Sequence, residues 1–163
     1  MTRSLRTDAL LRTAIAVVPV AIVSILGGFA TAPNIPGWYA GLTKPAGTPP
    51  NGVFGPVWTA LYVMMIVSVW RLLGHPPETP GRRAAVMAFF VQLALNCLWS
   101  FAFFAARSPA LGLVVILALI AALIATIRLA WNVDRIAAGL LVPYLAWVSY
   151  ATYLNLGVFW LNA

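Results

Sequence analysis

Residues 38–62 read WYAGLTKPAGTPPNGVFGPVWTALY, and their place between two long apolar runs decides the fold. One hydrophobic segment stops ahead of this stretch. A second begins within it, through Trp58 and Tyr62. The stretch between holds Pro45, Gly47, Pro49, Pro50, Gly52, Gly55 and Pro56. Proline fixes φ and removes a backbone donor, so a connection of this composition is expected to hold one shape. A stiff aromatic connection over a membrane bundle reads as a lid on a site, spanning about residues 33–55.

The bulk composition agrees with a membrane setting. Of 163 residues, 63% are hydrophobic and 8% charged, against roughly 25% charged in a soluble domain. A formal net charge of +7 raises nucleic acid as a partner. However, the basic residues stand at the ends of apolar runs, as juxtamembrane anchors do, and nucleic acid is set aside. The single cysteine, Cys97, excludes an intrachain disulfide and a multi-cysteine metal site. One integral membrane domain over 1–163 is expected.

A spanning helix needs about 20 apolar residues. Five runs qualify, at about 10–32, 56–73, 84–106, 109–131 and 136–161. The first also has signal-peptide features, with Arg3, Arg6 and Arg12 before the run and Ala30-Thr31-Ala32 after it. Its length favours a retained span. With five spans, one face carries Arg3, Arg6, Arg12, Arg71, Arg82, Arg83, Arg128 and Arg135, and the other only Lys44 and Arg107. The positive-inside rule puts the N-terminus in the cytoplasm and the proline-rich connection outside. A bacterial inner membrane is the expected location.

Each span carries its own signals. Ala16, Ser24 and Gly28, with Gly27, suggest close packing on the first helix, which Pro19 is expected to kink. The second helix is expected to enter at Pro56, a good first-turn residue, and to share one face among Trp58, Tyr62, Met65 and Val69. For Trp58, an interfacial aromatic belt and a pocket wall both stand. The third span places Gln92, Asn96, Trp99 and Phe103 on one face. Amides at mid-membrane need partners, so they point inward. Asn96 is either interhelical glue or a ligand contact. Ala84 and Ala88 continue that stripe with the spacing of a dimer contact. The fourth span offers Ala118, Ala121, Ala122 and Ala125 as packing surface. In the last span, Pro143, Trp147, Ala151 and Asn155 form a stripe, with Pro143 expected to kink the helix and open space beside Trp147. His75, in the connector after the second span, looks solvated and remote from any pocket.

At about 1.5 Å per residue, Asn96 and Trp147 fall near mid-span. Trp58, Tyr62, Trp99, Phe103, Ala151 and Asn155 fall between there and the proline-rich connection. Polar and aromatic groups thus gather in one half of the bundle, as a mostly apolar pocket for a flat, poorly soluble ligand requires.

Together the segments WYAGLTKPAGTPP (38–50), GPVWTALY (55–62), QLALNCLWSFAFFAAR (92–107) and VPYLAWVSYATYLN (142–155) resemble the translocator protein family, also called tryptophan-rich sensory proteins or peripheral benzodiazepine receptors. The resemblance covers nearly the whole chain after about residue 30. It implies an all-α five-helix bundle, often a homodimer, that binds porphyrins such as protoporphyrin IX and haem, with no cofactor required. Some members also bind sterols and benzodiazepine-type ligands. The family's pocket tryptophans correspond to Trp58 and Trp147, its helix-three asparagine to Asn96, its small ligand-side residue to Ala151, and its loop aromatics to Trp38 and Tyr39. Pro49 belongs to the same loop segment. Gly47 stands where many relatives have an aromatic, which implies a looser lid. Tyr153 has no Lys or Arg after it, so the sterol-recognition pattern of animal members is missing.

Three function classes follow. A porphyrin-binding protein would rely on stacking and apolar burial, because no span contains a histidine to ligate haem iron. Light-driven breakdown of the porphyrin would have to use Trp58 or Trp147, since Asp8, Glu78 and Asp134 all lie near the membrane faces. A transporter is the third class, and the lack of intramembrane charge argues against an aqueous path.

Overall fold

The computed structural model describes residues 2–163, with side chains from Asp8 onward. Arg3 and Arg6, part of the orientation argument, have side chains outside the described residues. The chain forms α1 (Thr2–Thr31), α2 (Asn51–Gly74), α3 (Arg82–Ser100), α4 (Pro109–Trp131), α5 (Arg135–Leu140) and α6 (Val142–Leu161). Five segments are long and apolar enough to cross a membrane, with α5 and α6 forming one of them. No strand occurs among the described residues. The molecule is an all-α integral membrane bundle of five spans.

Several boundaries differ from the sequence reading, each for a local reason. Helix α1 runs through Pro19 unbroken. It then continues as a 3-10 turn (Ala32–Asn34) and a π-helical turn (Ile35–Tyr39). Trp38 and Tyr39 therefore stand on a helical extension, and the irregular connection shrinks from 33–55 to 40–50. At the other side α2 begins at Asn51, with Pro50 in extended conformation as its cap residue, so Pro56 lies inside the helix rather than at its first turn. The carbonyl that Pro56 leaves without an N–H belongs to Gly52, an exposed residue. Helix α3 also ends in a π turn, Phe101–Ala105. The last span breaks at Leu141 ahead of Pro143, where proline cannot supply the N–H that would continue α5.

The core joins all the spans around Val20, Met65, Phe89, Leu119, Leu123, Tyr144 and Val148. On α4 the packed face is Gly112, Ile116, Leu119, Leu123, Thr126 and Ala130. The expected surface is the wrong one: Ala118, Ala121 and Ala125 are exposed and Ala122 is half-buried. Every face of α4 is apolar, and lipid is as apolar as Leu, so hydropathy does not mark which side meets protein. On α3, Ala84 is exposed and Ala88 half-buried. On α1, Ala16 and Gly27 are buried while Gly28 is exposed.

The connection 40–50 is strapped to α6. Tyr150 Oη donates to Gly47 O at 2.6 Å and Tyr153 Oη to Ala46 O at 3.0 Å. Asn162 accepts from Thr43 N and donates to Thr43 O, both at 2.9 Å. A Cβ on Gly157 would stand 2.5 Å from Pro45 Cγ, so this glycine is what lets the strap lie flat.

At the opposite end, Asp134 caps α5 by accepting from Ile136 N and Ala137 N, each at 2.9 Å. It also pairs with Arg71 at 2.9 Å and His75 at 3.1 Å. Burial alone would raise this carboxyl. The Ala137 N–H, His75 and Arg71 outweigh burial and hold it at about 2. His75 is thus tied into the structure rather than free in solvent.

Candidate functional site

A cavity of about 490 Å³ opens in the half of the bundle nearest the 40–50 connection, within the range of about 300–1,000 Å³ usual for small-molecule sites. Its wall comes from four spans. Helix α1 and its extension give Ser24, Gly27, Gly28, Thr31 and Tyr39; α2 gives Phe54, Trp58 and Tyr62; α3 and its π turn give Trp99, Ser100, Phe103 and Phe104; α6 gives Trp147, Ala151 and Asn155. No residue in the lining is charged, and none is His, Cys or Met.

The rings are held by one another. Trp58 lies 5.5 Å from Tyr62, centroid to centroid, at 31°. Trp99 stacks on Phe103 at 5.6 Å and 23°. Trp147 meets Phe54 edge-on at 5.9 Å. The two π turns face each other, with Tyr39 6.4 Å and Trp38 5.5 Å from Phe103. Such pairs add about 0.5–1.5 kcal/mol each beyond burial, so the wall is set before a ligand arrives.

Two amides fasten this wall from behind. Tyr62 Oη donates to Asn96 Oδ1 at 3.0 Å, and Asn96 Nδ2 donates to Tyr144 Oη at 2.9 Å. One side chain thereby joins α2, α3 and α6 at mid-span. Trp99 Nε1 donates to Asn155 Oδ1 at 3.1 Å, and Asn155 Nδ2 donates to Pro109 O at 2.8 Å. Asn155 so fixes the Trp99 indole and the start of α4 together. Gly112 makes this possible: a Cβ there would stand 2.7 Å from Asn155 Oδ1 and 3.0 Å from Phe103 Cδ2. Gln92, on the same α3 face, is buried with neither amide atom bonded among the described residues.

Of the residues expected at the site, Tyr39, Trp58, Tyr62, Trp99, Phe103, Trp147, Ala151 and Asn155 line the cavity. Trp38, Pro49 and Asn96 do not. Trp38 packs behind Phe103 and Phe104, Pro49 lies in the strap, and Asn96 spends its amide on two tyrosines. Trp58 and Trp147 keep indole N–H groups with no protein partner among the described residues. Sequence reasoning missed Tyr144, although it lies three residues before Trp147 and meets Trp58 edge-on at 6.1 Å. It also missed Phe54, assigned to the connection although it sits in the first turn of α2. The α1 contribution went unread as well, because Ser24, Gly27 and Gly28 carry no chemistry of their own. They leave that side of the wall open: a Cβ on Gly28 would meet nothing within 4 Å, whereas one on Gly27 would stand 3.3 Å from Ser100 Oγ.

The comparisons with known proteins agree with this architecture. A model of the TspO/MBR family matches residues 15–161. The tryptophan-rich protein TspO of Archaeoglobus fulgidus is 39% identical over 154 residues, covering 94% of this chain and 99% of the relative. The translocator protein of Homo sapiens is 42% identical over 122 residues, with 72% and 70% covered. The tryptophan-rich sensory protein of Cereibacter sphaeroides is 35% identical over 125 residues, with 77% of each chain covered. With nearly its whole length matched, this chain belongs to the TspO/MBR family.

Proposed function

We propose that the cavity binds a porphyrin, protoporphyrin IX or haem, as a membrane receptor for flat hydrophobic rings. The observation that supports this most is the wall itself: three indoles, three phenylalanines and two tyrosines around 490 Å³ with no charge in the lining. A planar ring gains stacking and burial there without leaving a protein charge unpaired. The carboxylates of such a ligand belong at the rim, beside the two cations of that end. Lys44 Nζ stands 4.7 Å over the Tyr39 ring, and Arg107 Nε donates to Asn34 Oδ1 at 3.1 Å. Arg107 is also the one non-glycine with a positive φ, 50°, among the described residues. Backbone strain of that kind gathers at ligand clamps.

With no His, Cys or Met in the lining, iron has no soft or imidazole ligand, and metal-free porphyrin should bind about as well as haem. A fluorescence-quenching titration of the purified protein in the dark tests the reading. Removing both Trp58 and Trp147 as alanines should weaken binding by about 100-fold, since two stacked rings amount to about 3 kcal/mol. Quenching that requires iron and persists in the double variant would overturn it. A second reading, light-driven oxidative breakdown of the bound ring, is favoured by the two unpartnered indoles in the wall. Bleaching under illumination that is unchanged in Trp58→Phe and Trp147→Phe removes the tryptophans from it.

A further inference from the structure

A second cavity lies at the other end of the bundle, between the first turns of α1 and the α2–α3 connector. It is lined by Asp8, Arg12, Gly74, His75 and Arg82 with Ala9, Leu73, Pro76 and Pro77. Arg12 decides its character. Its guanidinium lies 3.4 Å over the Trp70 ring, and Trp70 is itself held to α1 by donating to Thr13 Oγ1 at 3.2 Å. The guanidinium presses on Gly74 so closely that a Cβ there would stand 2.5 Å from Arg12 Nη1. The side chain is therefore not extended toward water as a snorkelling arginine would be. Arg12 Nε is buried, and no acceptor meets it among the described residues. A buried charged donor without an acceptor is costly and calls for a missing partner.

The neighbouring groups do not supply that partner. Asp134 is engaged by Arg71 and His75. Asp8 is exposed and forms no ion pair with Arg12. Arg82 donates through Nε to Leu72 O and through Nη2 to Leu73 O, each at 3.1 Å, which fixes its plane and leaves Nη1 unbonded. Two guanidiniums from different helices thus border one hollow, and among the described residues only one acid, Asp8, lines it. Toward mid-span from them Ile15, Val18 and Ile22 are 38%, 51% and 50% exposed, an apolar track along α1 leading from the cavity toward the bilayer interior.

We infer that this second cavity is a phosphate site, with Arg12 and Arg82 as donors and the phosphate of an anionic lipid headgroup as occupant. Paired guanidiniums suit phosphate oxygens, and the acyl chains would follow the Ile15–Val18–Ile22 track. Glycerol 3-phosphate shares the headgroup chemistry and stands for a soluble source.

The test is native mass spectrometry of the purified full chain with phosphatidic acid, diacylglycerol or glycerol 3-phosphate. Phosphatidic acid should be retained about tenfold more than diacylglycerol, as expected for a charge-assisted contact. Arg12→Gln should abolish the difference. Gly74→Ala should reduce it with the charge intact, because the new methyl takes the guanidinium's place. Arg128→Gln removes the same charge from the exposed last turn of α4 and should retain the lipid like the unaltered chain. Competition by glycerol 3-phosphate at matched concentration would support the site but assign it to a soluble phosphate. Equal retention of phosphatidic acid by the unaltered chain, Arg12→Gln and Arg128→Gln would overturn the proposal. Porphyrin titration of the same samples reports on the other cavity, so failure of one reading leaves the other intact.

Discussion

The two ends of this bundle enclose hollows from similar helical material and arrive at opposite chemistry. Near the 40–50 connection, aromatic rings are braced by amides and hydroxyls that satisfy one another, and no charge enters the lining. Near the first turns of α1, two arginines, a histidine and an acid border the hollow, and one indole serves as a platform for a cation. Depth explains the contrast. Neutral hydrogen-bonding groups such as Asn96 and Tyr144 are tolerated at mid-span when they bond each other. Guanidiniums are tolerated only where the chain approaches the polar headgroups. One end is therefore lined by rings and the other by charge.

The sharpest way to break this contrast is Asn96→Leu. It leaves the hydroxyls of Tyr62 and Tyr144 without their shared partner, and a loss of about 3 kcal/mol in unfolding free energy is expected from two orphaned buried groups. Chemical denaturation in detergent measures it, and porphyrin binding should fall while lipid retention stays. Next comes Gly112→Ala, whose methyl would displace Asn155 and Phe103. Overpacking of that kind costs about 2 kcal/mol, and the Trp99 emission should shift as its indole loses Asn155. An unshifted spectrum would show that α4 does not brace the ring wall.

Asp134→Asn probes the charged end. The folded carboxyl sits at about 2 against an ordinary 3.8. Its contribution to stability is complete above the ordinary value and is lost as pH falls through about 2. Allowing for solvent around Arg71, that contribution is about 1–2 kcal/mol. The unaltered chain and the variant should differ by this amount at neutral pH and converge near pH 2, which thermal unfolding across pH reads. The smallest effect is expected from Gly157→Ala, which lifts Pro45 off α6 at a cost of about 1 kcal/mol or less. Faster proteolysis within 40–50, with little change in melting temperature, is the outcome to look for.

Much of this was legible beforehand because the signals were long or chemically singular. Five apolar runs fix five spans, Pro143 fixes the break in the last, and the stripe of Trp58 and Tyr62 predicts a common face that the structure turns to the cavity. What hydropathy could not carry was any choice among apolar faces. The α4 alanines look like a packing seam and point outward, while Gly112 and Thr126 form the real one. Nor could spacing reveal partners distant in sequence. The residues around Asn96 leave it evenly between glue and ligand contact, because the tyrosine that accepts from its amide, Tyr144, lies 48 residues on. The connection 40–50 read as a roof because proline makes it stiff; its fastening along the side of α6 depends on Tyr150, Tyr153 and Gly157, whose exposed polar atoms advertise nothing. His75 looked idle for the same reason, since Asp134 lies 59 positions away.

The wider turns at Ile35–Tyr39 and Phe101–Ala105 have a bearing on how this wall tolerates change in length. Each accommodates one residue more than an α-helical turn would. Removing that extra residue would return either segment to an α-helical turn and keep the helix on both sides in register, whereas removing one from a plain α-helical stretch would swing everything beyond it through about 100°. Cutting one residue from 101–105 would therefore keep the rest of α3 facing as it does, whereas the same cut within 82–100 would leave the same apolar rod yet rotate its end away from Tyr39. Both cuts would be silent to hydropathy, so the two wide turns are where the aromatic wall is expected to absorb a lost residue, and the plain helix is where it is not.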